Sequence, residues 1–200
     1  MSQKDQKTAQ IIQAATQEFL LKGVEAASMH RIAERAEVSK RTLYKYYASK
    51  DALYIALIDV LLDRIDGMYQ IEYARDIPLA EQIEKIIDKK MKLTFSTSFL
   101  NMSKIIMGEM LRDHIPSKTQ LEKMYVSEAR FVDWIEAAKK DGKIKEHPSS
   151  HVMADQFHAI MKSQIFWPVL FGFVQVKDID ATEVKGLVLA FFLSSFCNHQ

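Results

Sequence analysis

SMHRIAERAEVSKRTLYKYYASKDAL, residues 28–53, decides the fold. Ser28, Ser39 and Ser49 each stand just before a run of apolar residues spaced by three or four. A serine oxygen there can accept from the free N–H groups of a first helical turn, so each serine marks a helix start. Met29, Ile32, Ala33 and Ala36 form the buried stripe of one short helix, and Glu37-Val38 makes a turn. Residues 40–47 form a second helix, with Leu43 and Tyr47 on one inward face. A third runs from Ser49 to about residue 66 on Leu53, Leu57, Val60, Leu61 and Ile65.

Two short helices around a tight turn are the helix-turn-helix plan, whose second helix lies in the major groove of duplex DNA. With Leu43 and Tyr47 turned inward, Arg41, Thr42 and Lys45 point outward, Tyr44 and Tyr46 flank them, and Lys40 sits at the leading tip. Arg and Lys can pair with guanine, a Thr methyl with thymine, and Tyr hydroxyls and Lys ammonium groups with phosphate oxygens. Ser28 and Lys50 lie at or near helix N-termini, which attract anions. Charge agrees with this placement. Residues 1–50 hold nine Lys/Arg against five Asp/Glu, and residues 51–200 hold eighteen against twenty-one. A basic head on a mildly acidic body suits a polyanionic partner at the head.

Outward from this stretch the same spacing continues, and the chain reads as all-α, with about nine helices. A helix over residues 5–22 precedes it and stops at Gly23. Downstream, helices are expected over residues 78–98, 101–113, 118–140, 150–173 and 181–197, with Asp141-Gly142 as a stop. The expected division is residues 1–52 as the head and 53–200 as the body, joined through a shared helix without a flexible linker. One cysteine, Cys197, excludes an intrachain disulfide and fits the cytoplasm. The longest apolar runs fall short of the ~20 residues of a membrane span, so no membrane partner is expected.

The features Gly23-x-x-x-x-Ser28, Ile32-Ala33-x-x-Ala36, Val38-Ser39, Thr42-Leu43-Tyr44-x-Tyr46-Tyr47 and Ser49-Lys50-Asp51-x-Leu53 resemble the N-terminal DNA-binding domain of TetR-type transcriptional regulators. The resemblance implies that Ser28, Thr42, Tyr44, Tyr46 and Lys50 meet the DNA backbone, and that Lys40, Arg41 and Lys45 read bases. Glu37 replaces the frequent glycine of the turn, and Arg41 stands where small residues are usual. The resemblance further implies a body that senses a small molecule and forms a homodimer, in most members a repressor released from a palindromic DNA operator. Its last two long helices would form the dimer interface, here through Met153, Phe157, Ile160, Met161, Gln164, Leu187, Ala190, Phe191 and Ser194. Packing of those helices within one subunit is the alternative reading of their apolar faces.

For the effector, Phe95, Phe99, Met102, Ile106 and Met110 recur at three and four, and Phe131, Trp134 and Phe166 supply aromatic walls. Such a lining suits an apolar or aromatic ligand. No phosphate loop, nucleophile motif or paired carboxylates occur, so no catalytic residue, cofactor or metal is expected. His147 and His151 are four apart, but Pro148 intervenes and no third ligand is near. The alternative function is a helical small-molecule-binding or interaction protein without sequence-specific DNA reading.

Overall fold

Apolar spacing of three and four is carried into helices along most of residues 3–198, the residues described by the computed structural model. In order these are α1 (Gln3–Ala26), α2 (Met29–Arg35), α3 (Lys40–Tyr46), α4 (Lys50–Met68), α5 (Leu79–Thr94), α6 (Thr97–Met110), α7 (Lys118–Lys140), α8 (Ser150–Met161), a π-helical stretch (Lys162–Phe166), α9 (Trp167–Leu170) and α10 (Ala181–Phe196). The only extended pairing among the described residues is a single bridge between Ile144 and Cys197. No helix among these residues is long and apolar enough to cross a membrane.

The punctuation follows local chemistry. Gly23 takes φ 75°, ψ 163° and kinks α1 where the expected helix ended, after which a further turn reaches Ala26. Gly142 closes α7 at φ 70°, its N–H donating to Lys139 and that of Lys143 to Ala138. These are the two bonds of a Schellman closure, which glycine adopts without steric cost. The expected single helix over residues 150–173 is interrupted. Its middle widens into the π-helical stretch, and α9 ends at Leu170.

Two compact units emerge. The first comprises residues up to Asp63 together with Thr97–Leu121, and the second Arg64–Ser96 together with Glu122 onward. The expected division at residues 52 and 53 differs from these units, since by packing α6 belongs to the first, where it lies on α1.

In the first unit, Ile11, Ala15 and Phe19 of α1, Ile32 of α2, Leu43 of α3, and Leu53 and Leu57 of α4 are buried. Burying each large aliphatic side chain contributes about 1.5–3 kcal/mol. Two carboxylates share this interior. Glu18 accepts from Arg35 Nε at 3.3 Å, while its other oxygen has no partner. Glu109 accepts from Arg112 at 2.9 Å and is paired with His114 Nδ1 at 2.7 Å.

The second unit is built on Ile83 and Ile87 of α5, Phe131, Trp134 and Ile135 of α7, Met153, Phe157 and Met161 of α8, and Val188 and Phe192 of α10. One polar chain runs beside these rings. Lys90 Nζ donates to the Tyr69 hydroxyl at 2.9 Å, and that hydroxyl shares a 2.9 Å hydrogen bond with His158 Nε2.

Candidate nucleic-acid interface

The candidate reading helix is only seven residues long and depends on its surroundings for order. Ser39 caps it, accepting from the Thr42 N–H at 3.0 Å and sharing a 2.8 Å hydrogen bond with the Thr42 hydroxyl. Leu43 is fully buried beneath it. Tyr47 follows as its C-cap, half-buried, with its N–H on the Leu43 carbonyl at 2.9 Å. Burial also pushes the Tyr47 phenol pKa up.

Cap, anchor and terminus fix the outward face. Lys40, Arg41 and Lys45 are exposed, Tyr44 is 52% exposed, and Thr42 and Tyr46 are half-buried beside them. Thr42 reaches its own cap, so its hydroxyl is engaged within the turn. Ser28 occupies the N-cap position of α2 with extended backbone, but its side chain makes no capping hydrogen bond. The expectation that it caps α2 is corrected in that respect. Ser49 does cap α4, through the Ala52 N–H at 3.1 Å. Lys50 is half-buried and its ammonium group donates to the Glu25 carbonyl.

Between α2 and α3 the chain turns without glycine. Glu37 N–H donates to Glu34 and Val38 N–H to Ala33, at 3.1 and 3.0 Å, and Glu37 takes φ 51°. This is again a Schellman closure, with a glutamate at its left-handed position. Asp113 does the same at the end of α6, at φ 67°.

The effector-pocket residues fall into two groups. Phe99, Met102, Ile106 and Met110 belong to the first unit, where Phe99, Met102 and Ile106 are buried and Met110 is exposed. Phe95, Phe131, Trp134 and Phe166 belong to the second. There Phe131 and Trp134 stack at 5.9 Å in the core, and Phe95 and Phe166 are half-buried. Two clefts, of about 710 and 490 Å³, open elsewhere in this unit, one beside Pro78 and Cys197 and the other beside Tyr69 and Arg130.

The interface residues also separate. Met153, Phe157 and Met161 have at most 3% of their surface exposed, because they pack into the unit's own core. They have no surface left for a partner, which corrects their assignment to an interface. Gln164, Leu187, Ala190 and Ser194 are exposed, and Ile160 and Phe191 half-buried. Val152, Trp167, Phe171 and Phe173 are large apolar side chains that are also exposed.

Residues 11–57 match the family model of bacterial regulatory proteins, tetR family, and residues 81–195 match that of the AefR-like transcriptional repressor C-terminal domain. The chain belongs to the TetR family. It is similar to a TetR family transcriptional regulator from Pseudomonas syringae pv. tomato, at 32% identity and TM-score 0.75, over 98% of this chain and 99% of that one. It is 39% identical over 62 residues to the HTH-type transcriptional activator FasR of Mycolicibacterium smegmatis, covering 31% of this chain and 28% of that protein. Over 105 residues it is 34% identical to the HTH-type transcriptional regulator RutR of Escherichia coli K12, covering 52% of this chain and 48% of that protein. The chain thus matches less than half the length of these two curated relatives. As a TetR family member it is a DNA-binding transcriptional regulator with an N-terminal helix-turn-helix. The family is typically non-enzymatic. Among the described residues no group of three or more His, Cys, Asp or Glu side chains could hold a metal.

Reading of the sequence passed over Tyr69 and Lys90, while His158, read as a groove-side or core polar residue rather than a catalyst, is buried. Lys90 carried a signal, since it continues the apolar stripe Ile83, Ile86, Ile87 of α5 at the same spacing. Cys197 offers little redox chemistry, because burial pushes its thiol up to about 11 despite nearby Lys145.

Proposed function

We propose that this TetR family regulator acts in the cytoplasm as a homodimeric repressor, released from a palindromic operator by a small apolar or aromatic effector held in residues 53–200. The observation that carries the reading half is the face of α3. Its cations Lys40, Arg41 and Lys45 stand free in solvent on a helix fixed by Ser39 and Leu43. Lys40, Arg41 and Lys45 read base edges, while Ser28, Thr42, Tyr44, Tyr46 and Lys50 set the head on the phosphate backbone. Lys50 gives up or shares its bond to Glu25 to do so. The exposed apolar side chains Leu187, Val152 and Trp167 support dimerisation by a second copy. Both α4 and α7 run unbroken and contribute residues to both units, which supports coupling of effector to head.

The test is fluorescence anisotropy of the full chain on DNA from upstream of its own gene and on random duplex, across a salt series. Tighter binding to the upstream DNA is expected, with Lys40→Ala and Arg41→Ala narrowing the gap and Tyr44→Ala weakening both. Equal affinity and equal salt slope on the two duplexes would show a helical binding protein without sequence reading. Sedimentation at the mass of a single 23.0 kDa chain would remove the dimer.

A further inference from the structure

His30 stands apart on the head. Its helix, α2, buries Ile32, with Ala33 and then Ala36 beside it. At about 100° per residue, His30 and Arg35 fall roughly 110° to either side of that stripe, on opposite flanks of the helix. Arg35 reaches Glu18 of α1, so its flank is the one turned to α1. The flank of His30 is the other one. Ala33 lies between the stripe and His30, and its carbonyl accepts the Val38 N–H in the turn that leads into α3. His30 thus stands on the α3 side of α2, close after Ser28, with its side chain 55% exposed.

Its imidazole Nε2 lies 3.2 Å from a carboxylate oxygen of Glu34, itself exposed and one turn further along the same flank. The other charged groups around it come from the elements packed on α2. α1 contributes Glu18, held by Arg35 on the opposite flank. α3 contributes exposed Lys40, Arg41 and Lys45, with exposed Glu37 in the turn between. A pair as open to water as His30 and Glu34 contributes little to the fold. It is also exchangeable, since a phosphate oxygen can take the place of the Glu34 oxygen. In a helix-turn-helix, the helix before the reading helix crosses the DNA backbone. Histidine side chains ordinarily change charge between pH 5 and 8, and the imidazolium has two N–H donors where the neutral ring has one.

We infer that His30 is a further DNA-binding residue: its imidazolium leaves Glu34 and donates to a phosphate oxygen of the backbone stretch that Ser28 also meets, so DNA affinity rises as pH falls. One proton is taken up from solvent for each head seated. This rests on the DNA-reading role of the head proposed above, and adds to it a contact that carries charge but no base information.

The experiment is fluorescence anisotropy of the full chain on DNA from upstream of its own gene and on random duplex, at pH 8 and pH 6 and across a salt series. Affinity for both duplexes is expected to rise about fivefold from pH 8 to pH 6. The salt slope should steepen by about 0.9 for each head. His30→Gln is expected to flatten both changes and leave the melting temperature where it was. His30→Lys, a cation at either pH, is expected to bind at pH 8 as tightly as the parent does at pH 6. A parent with the same affinity at both pH values overturns the inference. So does a His30→Gln variant that keeps the pH dependence, since the proton then enters elsewhere, at His114 or Lys90. A His30→Lys variant no tighter than His30→Gln at pH 8 does the same, as does a His30→Gln variant that melts well below the parent, since the histidine is then structural. The two readings fail separately. Equal affinity for the two duplexes, with a pH dependence that His30→Gln flattens, leaves the contact and removes sequence reading. A preference for upstream DNA without pH dependence leaves sequence reading and removes the contact.

Discussion

The two units treat buried charge in opposite ways. In the first, Glu18 and Glu109 lie inside the apolar layer, and each meets a guanidinium. In the second, buried Lys139 donates to the Glu146 and Pro148 carbonyls, and half-buried Lys90 donates to a phenol. A paired interior charge is part of the scaffold, and deleting one partner strands the other. A cation held only by neutral oxygens leaves no charge stranded when it is removed. The head thus pairs its interior carboxylates with cations, while the body rests its inner cations on neutral oxygens.

The largest effect expected from breaking this contrast is at Arg35. Arg35→Met leaves Glu18, 1% exposed, with neither oxygen partnered. The loss should be roughly 3 kcal/mol in urea unfolding, the low end for a broken interior pair because Arg35 is itself partly solvated. Adding Glu18→Leu should recover most of it. A loss within about 0.5 kcal/mol for the single variant would mean the pair is no different from a surface one.

Lys90 gives the opposite sign with pH. Its amine titrates at about 7 in the folded chain, against 10.5 as the ordinary value. Between these values the unfolded chain binds the extra proton, so stability should rise with pH across that window. Lys90→Met should flatten the rise, measured as melting temperature against pH. His158 sharpens the other limb. Its folded value lies near 2 against 6.5, so its neutral, Tyr69-bonded form contributes stability that falls away as pH drops below 6.5. His158→Gln should make the acid limb shallower, and an unchanged limb would place the proton uptake elsewhere.

The smallest effect concerns the turn. Glu37 holds a left-handed backbone at φ 51° in the head, where Gly142 does the same work at φ 70° in the body. Glu37→Gly should stabilise by about 1 kcal/mol, less whatever the unfolded chain gains in freedom. Gly142→Ala should destabilise by a similar amount, and Asp113→Gly should gain less than Glu37→Gly, since Asp tolerates this region better. Equal effects at Glu37 and Asp113 would show that side-chain type is irrelevant there.

What could be read in advance was what local chemistry decides alone. Ser39, Ser49, Gly23 and Gly142 act where a cap or a free φ is needed, and α7 has the limits its stripe set. The turn at Glu37 was flagged because no glycine was there, and the backbone adopts the strained region regardless. Ser28 shows the limit of that logic, since a cap residue in cap position need not cap. Burial was harder to read. Met153, Phe157 and Met161 lie on an apolar face, and such a face looks the same whether it meets its own chain or another. Glu18, Glu109 and Lys90 sat on apolar stripes without being singled out, because composition does not show which charge will find a partner.

The π-helical stretch governs the direction of everything after it. Met153, Phe157, Met161, Ile165 and Val169 are all buried and all four residues apart. On an ideal α-helix each step of four overshoots a full turn by roughly 40°, so the stripe would wander round the rod. The wider coil between Lys162 and Phe166 winds that drift back and keeps one phase. Trp167 and Phe171 owe their outward aim, stacked 5.9 Å apart, to that correction. Deleting one residue within the stretch would rotate the two rings together by about a quarter turn, exchanging what the unit shows for what it hides.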